Sequence, residues 1–400
     1  MISEEFIFKT KKNITNRTVI STEAKRNGEI LFRISFFGWR IYSLKRMLSQ
    51  AQVSTSLEMT NKIFSNMKKI LFVLAIAIIF TSCERNNSPK QPSAPKTTKK
   101  TVVVPAFNGD SAYYFVKAQC DFGPRVPGTM PHQQCAEWLV NTLNGYADTV
   151  FVQEFKSRIY DGKVMNGKNI IAAFNPDAKK RIIVAAHWDS RPYADNDPDE
   201  ANWHKPIDGA NDGASGCGIM MEMARVMKNH RIDESVGIDL IFFDLEDYGS
   251  PRWLDDSERD DLSWGLGSQY WSTKPHLSNY SAYYGILLDM VGASNPRFPK
   301  EYYSQNNSAW VLNKVWRTAR EMGYDEYFVN ELGDPINDDH IYMIHYAGIP
   351  AIDIIDLVGD PDRTSCFFPY WHTLNDNIDC IDVKTLQMVG NVMLEVIYNE

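Results

Sequence analysis

The sequence predicts an α/β fold, a mostly parallel central sheet flanked by helices on both faces. Two features of the chain point there. Short apolar runs of strand length alternate with longer segments whose apolar residues recur at helical spacing. Several of these runs are followed at once by acidic or histidine side chains, as expected where the carboxyl ends of parallel strands line up along one edge. A hydrophobic fraction of 44% and an aromatic fraction of 12% suit a chain with a substantial core. A length of 400 residues suffices for one large α/β domain or two smaller ones.

The beginning of the chain is expected to lie outside that fold. Residues 1–66 hold 11 basic and 5 acidic residues, a net charge of +6, which leaves −14 for the remainder. From Met67 the chain reads Met67-Lys68-Lys69, then an unbroken apolar run from Ile70 to Phe80, then Thr81-Ser82-Cys83. A basic start, a short apolar run and a small residue before the cut are the parts of a secretory signal, over 67–83. The run is too short to cross a bilayer. Cys83 resembles the lipid-bearing first residue of a bacterial lipoprotein; under plain secretion it would be incidental. The expectation is that translation starts at Met67, that 1–66 is a misassigned upstream extension, and that the mature protein is exported and faces the periplasm. Its only tie to a membrane would be the lipid on Cys83. Residues 84–105, polar and proline-containing, form a linker, and 106–400 form a single domain. The acidic balance of that domain repels phosphate backbones and argues against a nucleic-acid partner.

Within the domain, helices are expected over Asp110–Gln119 and His132–Leu143, where Ala136, Leu139, Val140 and Leu143 form an apolar stripe. Short strands follow near Thr149–Phe155 and Asn169–Phe174, then a buried strand at Arg181–Ala186. A long helix starts after Asp212 and runs through Met220, Met221, Met223, Ala224 and Val226, which read as core. Strands Gly237–Phe243 and Tyr284–Leu288 come next. A helix over Ser308–Met322 has Gly323 suited to its C-cap, and a strand at Ile349–Ile355 and a helix at Val383–Tyr398 close the chain.

Six cysteines would meet an oxidising compartment. With Cys83 lipidated, five remain, so at least one thiol stays free within a chain. Cys120–Cys135 and Cys366–Cys380 stand as candidate pairs, neither fixed by the sequence.

The chemistry is expected where polar residues follow strands. His187-Trp188-Asp189 follows the strand ending at Ala186, Asp244-Leu245-Glu246-Asp247 the one ending at Phe243, and Asp289 the one ending at Leu288. Asp212 precedes a helix, and His372 lies in a loop after the last strand. Imidazole and carboxylates gathered at one edge suit zinc and leave a coordination position open, and a free carboxylate beside it, such as Glu246, can act as general base. Taken singly, each residue has an ordinary explanation: a hydrogen-bonded histidine, a solvated acid pair, packing tryptophans at 253, 264 and 371, a helix cap at Asp338 or Asp339 for a helix beginning at Ile341. Repetition of the pattern on three strands is harder to explain that way, because unpaired buried acids need a metal, a proton or a partner. Gly213-Ala-Ser215-Gly216-Cys217 is not a nucleophile elbow, and HExxH, P-loop and GxGxxG patterns are absent.

These segments, His187-Trp-Asp189-Ser, Gly209-Ala-Asn-Asp212-Gly-Ala-Ser-Gly, Phe242-Phe-Asp-Leu-Glu246-Asp247, Leu287-Leu-Asp289-Met-Val-Gly-Ala and Trp371-His372-Thr, resemble the zinc aminopeptidase superfamily from about residue 110 to the end. Asn337-Asp338-Asp339-His340, the loop from Leu287 to Pro296, Trp253 after the acidic pair and Trp371 before the histidine resemble the animal-type glutaminyl cyclases within it. The resemblance implies a glutaminyl-peptide cyclotransferase that closes N-terminal glutamine of peptides or proteins into pyroglutamate with release of ammonia. It implies one zinc held by Asp212, Asp247 and His372, Glu246 as proton shuttle, Asp289 and Asp338 supporting it, and Trp253, Trp371 and Asn337 at the substrate pocket. Two departures are visible: Asp247 stands where animal cyclases often have glutamate, and Asp353 where they have histidine. The alternative within the superfamily is a dizinc aminopeptidase, with His187 and Asp289 holding a second zinc and Asp212 bridging. A non-catalytic lipoprotein binding module with the same fold is a third reading, opposed by the intact Glu246 and ligand set.

Overall fold

The computed structural model of the protein describes residues 102–358 and 366–400, together with the backbone of three short segments near the amino terminus. The signal segment, Cys83 and all but the end of the linker lie outside the described residues. The chain divides into two units, Met1–Thr97 and Thr98–Glu400. In the first, β1 (Val19–Ala24), β2 (Ile30–Phe36) and β3 (Trp39–Arg40) pair antiparallel in that order. No helix among the described residues is long and apolar enough to cross a membrane.

The second unit is built on a six-stranded sheet, ordered β11-β8-β6-β7-β5-β4. Its members are β4 (Thr149–Arg158), β5 (Val164–Phe174), β6 (Lys180–His187), β7 (Val236–Phe243), β8 (Tyr284–Asp289) and β11 (Ala351–Ile355). The four strands β11, β8, β6 and β7 run parallel, and β5 and β4 complete the sheet antiparallel. The mostly parallel sheet expected from the sequence is therefore present.

The central strands are mostly apolar because both faces are covered, and the buried charges of Arg181 on β6 and Asp239 on β7 pair with each other. Alternate residues separate into two cores. Ile182, Val184, Ala186, Leu240, Phe242, Ile286 and Leu288 pack with α1 (Gly109–Cys120), α2 (Met130–Asn144), α3 (Ala214–Asn229), α5 (Tyr302–Glu321) and α7 (Val383–Tyr398). Ile183, Ala185, Ile241, Phe243 and Leu287 pack on the other face with Trp271 of α4 (Leu266–Thr273) and Met343 of α6 (Asp339–His345). The helices start at ordinary signals. Asn108 accepts from the Ser111 N–H and Thr129 from the His132 N–H, with a proline in the first turn of α2.

Several boundaries differ from expectation, each for a local reason. β4 and β5 extend beyond their expected ends, pairing from Thr149↔Ala173 to Arg158↔Val164 and turning through Gly162 at φ 82°. Their outer halves carry polar residues, which mask the strand period. α5 begins at Tyr302 rather than Ser308. Glu301 caps it through the N–H groups of Tyr303 and Ser304, and Ser308 marks a non-helical kink inside it. α4 and the small parallel pair β9 (Phe298–Lys300) and β10 (Phe328–Leu332) are additional to the expected elements. α6 begins at Asp339 with Asp338 as its cap. Cys120, Cys135, Cys217, Cys366 and Cys380 are free thiols, so neither candidate disulfide is formed.

Candidate active site

Strand register brings the polar residues together. His187 pairs level with Phe243, and Asp289 with Ile355, while the Ala185↔Leu287 pairing sets β6 and β8 so that His187 and Asp289 share the same row. Asp212 joins them at the start of α3, where Gly213 (φ 106°) serves as cap. A Cβ on Gly213 would stand 2.6 Å from the Asp189 carbonyl oxygen and 3.1 Å from the His187 ring, so the approach of this turn to the row requires glycine.

Two triads result, and they share Asp212. In the first, His372 Nε2 lies 3.1 Å from Asp247 Oδ1 and 3.6 Å from Asp212 Oδ2. In the second, His187 Nε2 lies 3.1 Å from Asp212 Oδ1 and 3.3 Å from Asp289 Oδ1. Each triad offers three ligand atoms within 4.8 Å of one another. All five side chains are buried, and Asp212 Oδ2, Asp247 Oδ2 and Asp289 Oδ1 have no hydrogen-bond partner among the described residues. Buried carboxylate oxygens left without partners beside imidazole nitrogens are the donor set a divalent cation satisfies, so the residues present fit zinc.

Electrostatics follow from burial and crowding. Burial raises the Glu246 carboxyl well above its ordinary range, with Asp247, Asp338 and Asp339 adding to the effect. Burial, then Asp338 and Asp212, push Asp289 to about 7. Asp212 goes the other way: burial opposes its charge, but His187 and His372 outweigh it and lower its pKa.

Around the triads stand Asp189, which belongs to an expected strand-end segment, and Asp195, Arg191 and Asp376, which the sequence does not single out. Asp195 lies 3.4 Å from His372 Nδ1 and accepts two hydrogen bonds of 2.7 Å from the buried guanidinium of Arg191. Arg191 also donates to the Asp247 carbonyl oxygen at 3.0 Å and lies over the Trp264 ring at 4.7 Å. Asp189 accepts the N–H groups of both Glu246 and Asp247 at 3.2 Å, and Asp376 accepts those of Asn211 and Asp212. The one sequence signal for Arg191 and Asp195 is a charged pair four residues apart just after a strand end, outside the motifs. Three non-glycine residues of the site have left-handed backbones, Leu245 (φ 57°), Met290 (φ 50°) and His372 (φ 55°). Each is a candidate ligand or adjoins the strand-end residues, a placement typical of strain held by surrounding structure.

The other expected residues separate. Asp338, His340 and Asp353 form a third buried group, with His340 Nε2 3.1 Å from Glu301 Oε2 and Nδ1 3.8 Å from Asp353 Oδ2. Asp338 caps α6, as its ordinary explanation required, yet it also faces Asp353 and raises the pKa of Glu246. Trp371 stacks on His372 at 3.7 Å between ring centroids, and the Trp264 ring lies parallel to His372 at 6.0 Å. Trp253 packs on Tyr193 and His204, one ring removed from Arg191. Asn337 is exposed and tied to the Asp261 carbonyl oxygen and the Tyr342 hydroxyl.

A zinc-competent carboxylate–histidine cluster at the carboxyl edge of a mostly parallel sheet defines a class, the zinc exopeptidase-like enzymes. Residues 169–397 match the profile of peptidase family M28, and the chain belongs to that family. Within it the likeness is to glutaminyl-peptide cyclotransferases. One of that name from Boiga irregularis is 30% identical over 301 residues, 67% of this chain and 75% of that one. The crystal structure of the glutaminyl cyclase of Bacteroides thetaiotaomicron bound to N-acetylhistamine is 48% identical, with a TM-score of 0.72 over 74% of this chain and 100% of that chain. A structure described as a leucine aminopeptidase precursor from the same organism is 47% identical, with a TM-score of 0.71 over 75% and 99%.

Proposed function

We propose that the chain is a glutaminyl-peptide cyclotransferase acting on peptides or proteins that begin with glutamine. The α-amine nitrogen attacks the γ-carboxamide carbon, the lactam C–N bond forms, the bond to the amide nitrogen breaks, and ammonia leaves. Asp212, Asp247 and His372 would hold one zinc, which when bound polarises the γ-carbonyl as a Lewis acid. Glu246 takes the proton from the attacking amine and returns it to the departing nitrogen. Asp289 and Asp338 support Glu246, while Trp371, Trp253 and Asn337 line the approach.

The observation that carries this reading is Glu246 itself. It is buried, it directly precedes Asp247, and its surroundings keep its affinity for a proton high. Cyclisation needs a group that both accepts and returns a proton, and a buried carboxyl whose pKa is raised is suited to that exchange. The test is ammonia release and mass analysis with a Gln-initiated peptide beside a Leu-initiated one. Loss of ammonia from an otherwise intact Gln peptide supports the reading, and liberation of free amino acids overturns it.

One observation favours a second reading, a dizinc aminopeptidase: His187 and Asp289 complete a second triad through Asp212. The similar structures named as cyclases weigh toward the first. Metal analysis distinguishes them, one zinc per chain against two. We propose further that the mature protein is exported through the 67–83 signal and anchored by lipid at Cys83, with 84–105 as a tether, 106–400 as the catalytic domain, and 1–66 outside the translated protein.

A further inference from the structure

Asp244 lies two residues before Glu246 and has no part in the proposed chemistry. It is fully buried, and its carboxylate is held from three sides. Oδ2 accepts the Lys168 N–H at 2.6 Å, while Oδ1 accepts the Leu245 N–H at 2.8 Å and stands 2.9 Å from His132 Nε2. With the Asp244 carboxylate ionised, it can only accept, and His132 Nε2 is then the donor. His132 comes from the first turn of α2, and its ring stacks on the buried Trp188 at 4.2 Å.

Between Asp244 and Glu246 stands Leu245, whose left-handed backbone is one that side chains with a Cβ rarely adopt. Such a turn persists only if its neighbours fix it. On the exit side, Asp189 holds the N–H groups of Glu246 and Asp247, and the Gly265 N–H holds the Glu246 carbonyl oxygen. The entry to the turn is fixed by Asp244, whose carboxylate has His132 as its side-chain partner beside the Lys168 N–H. We propose that His132 is a positioning residue for the reaction. Through Asp244 it holds the strained Leu245 turn that aims the Glu246 carboxylate. The proposal rests on the reading of Glu246 as the proton carrier.

The test is a double-mutant cycle in the full chain, assayed by ammonia release from a Gln-initiated peptide. The variants are His132→Leu, His132→Gln, Glu246→Gln and the combination of the first with the last. His132→Leu is expected to lower kcat at least about tenfold, with KM within about twofold and zinc content unchanged, since small misplacements of a reacting group cost rates of this order. His132→Gln keeps a donor near the Nε2 position and recovers most of the loss. In the Glu246→Gln background, His132→Leu costs less than about twofold, because the group it aims is gone. An equal loss in both backgrounds, no loss in His132→Leu, or no recovery in His132→Gln overturns the proposal. A Glu246→Gln single variant with undiminished kcat instead refutes the Glu246 reading and is seen independently. If His132→Leu fails to fold, Asp244→Asn takes its place in the cycle with the same outcomes.

Discussion

Asp195 stands 3.4 Å from His372 Nδ1 while its own two oxygens are clamped by Arg191. A carboxylate placed so selects the tautomer that leaves Nε2 free toward Asp212 and Asp247, and it makes that nitrogen a better donor. Asp195→Ala should therefore weaken zinc retention by roughly 10- to 100-fold. Competition with a chelator, read as metal content, checks this without relying on turnover. Retention equal to that of the unaltered chain would leave Asp195 a purely structural partner of Arg191.

Glu246→Gln should remove the proton carrier and leave the site's shape intact. The expected loss in kcat is about 10²- to 10⁴-fold, with zinc content and thermal stability unchanged. A loss that follows zinc content would assign Glu246 to metal binding instead.

His187→Ala separates the two readings of the paired triads. In a one-zinc cyclase the bound metal stays at one per chain. In a two-zinc enzyme it falls from two to one, and hydrolysis of the Leu-initiated peptide disappears with it.

The fold is legible in the sequence where pattern and burial agree. β6, β7 and β8 are mostly apolar on both faces, and their runs end at the residues found in one row. The amphipathic stripe of α2 and the capping glycine after α5 are likewise readable. The outer halves of β4 and β5 are not, because polar residues there hide the strand period. α4 is not either: Gly265 at φ 60° starts it, and eight residues carry too little stripe to stand out. The ligand candidates at strand ends can be read from position alone. Asp195 meets His372, Asp376 meets the Asn211–Asp212 turn and His132 meets Asp244 across segments distant in sequence, and such contacts leave no local pattern beyond the Arg191–Asp195 spacing.

Stability should fall as pH rises through Asp356. This residue is buried, accepts the Arg297 N–H at 2.9 Å, and is pushed by burial to about 7. A folded-state pKa above the unfolded value means the native state binds the proton more tightly. The protonated carboxyl's contribution is full below about pH 4 and is lost as pH rises through about 7. Asp356→Asn should flatten denaturation midpoints across that window and raise stability at pH 8 relative to the unaltered chain. An unchanged slope would show that another group sets it.

The sheet order places β8 between β11 and β6, so the row holding His187 and Asp289 joins strands about a hundred residues apart in sequence. Closing such separations is slow compared with forming local helices and hairpins. The donor set is thus expected to assemble late in folding. An incomplete chain ending before β8 would hold His187 and Asp212 but lack Asp289 and His372. Metal capture would then seal the finished sheet rather than nucleate it.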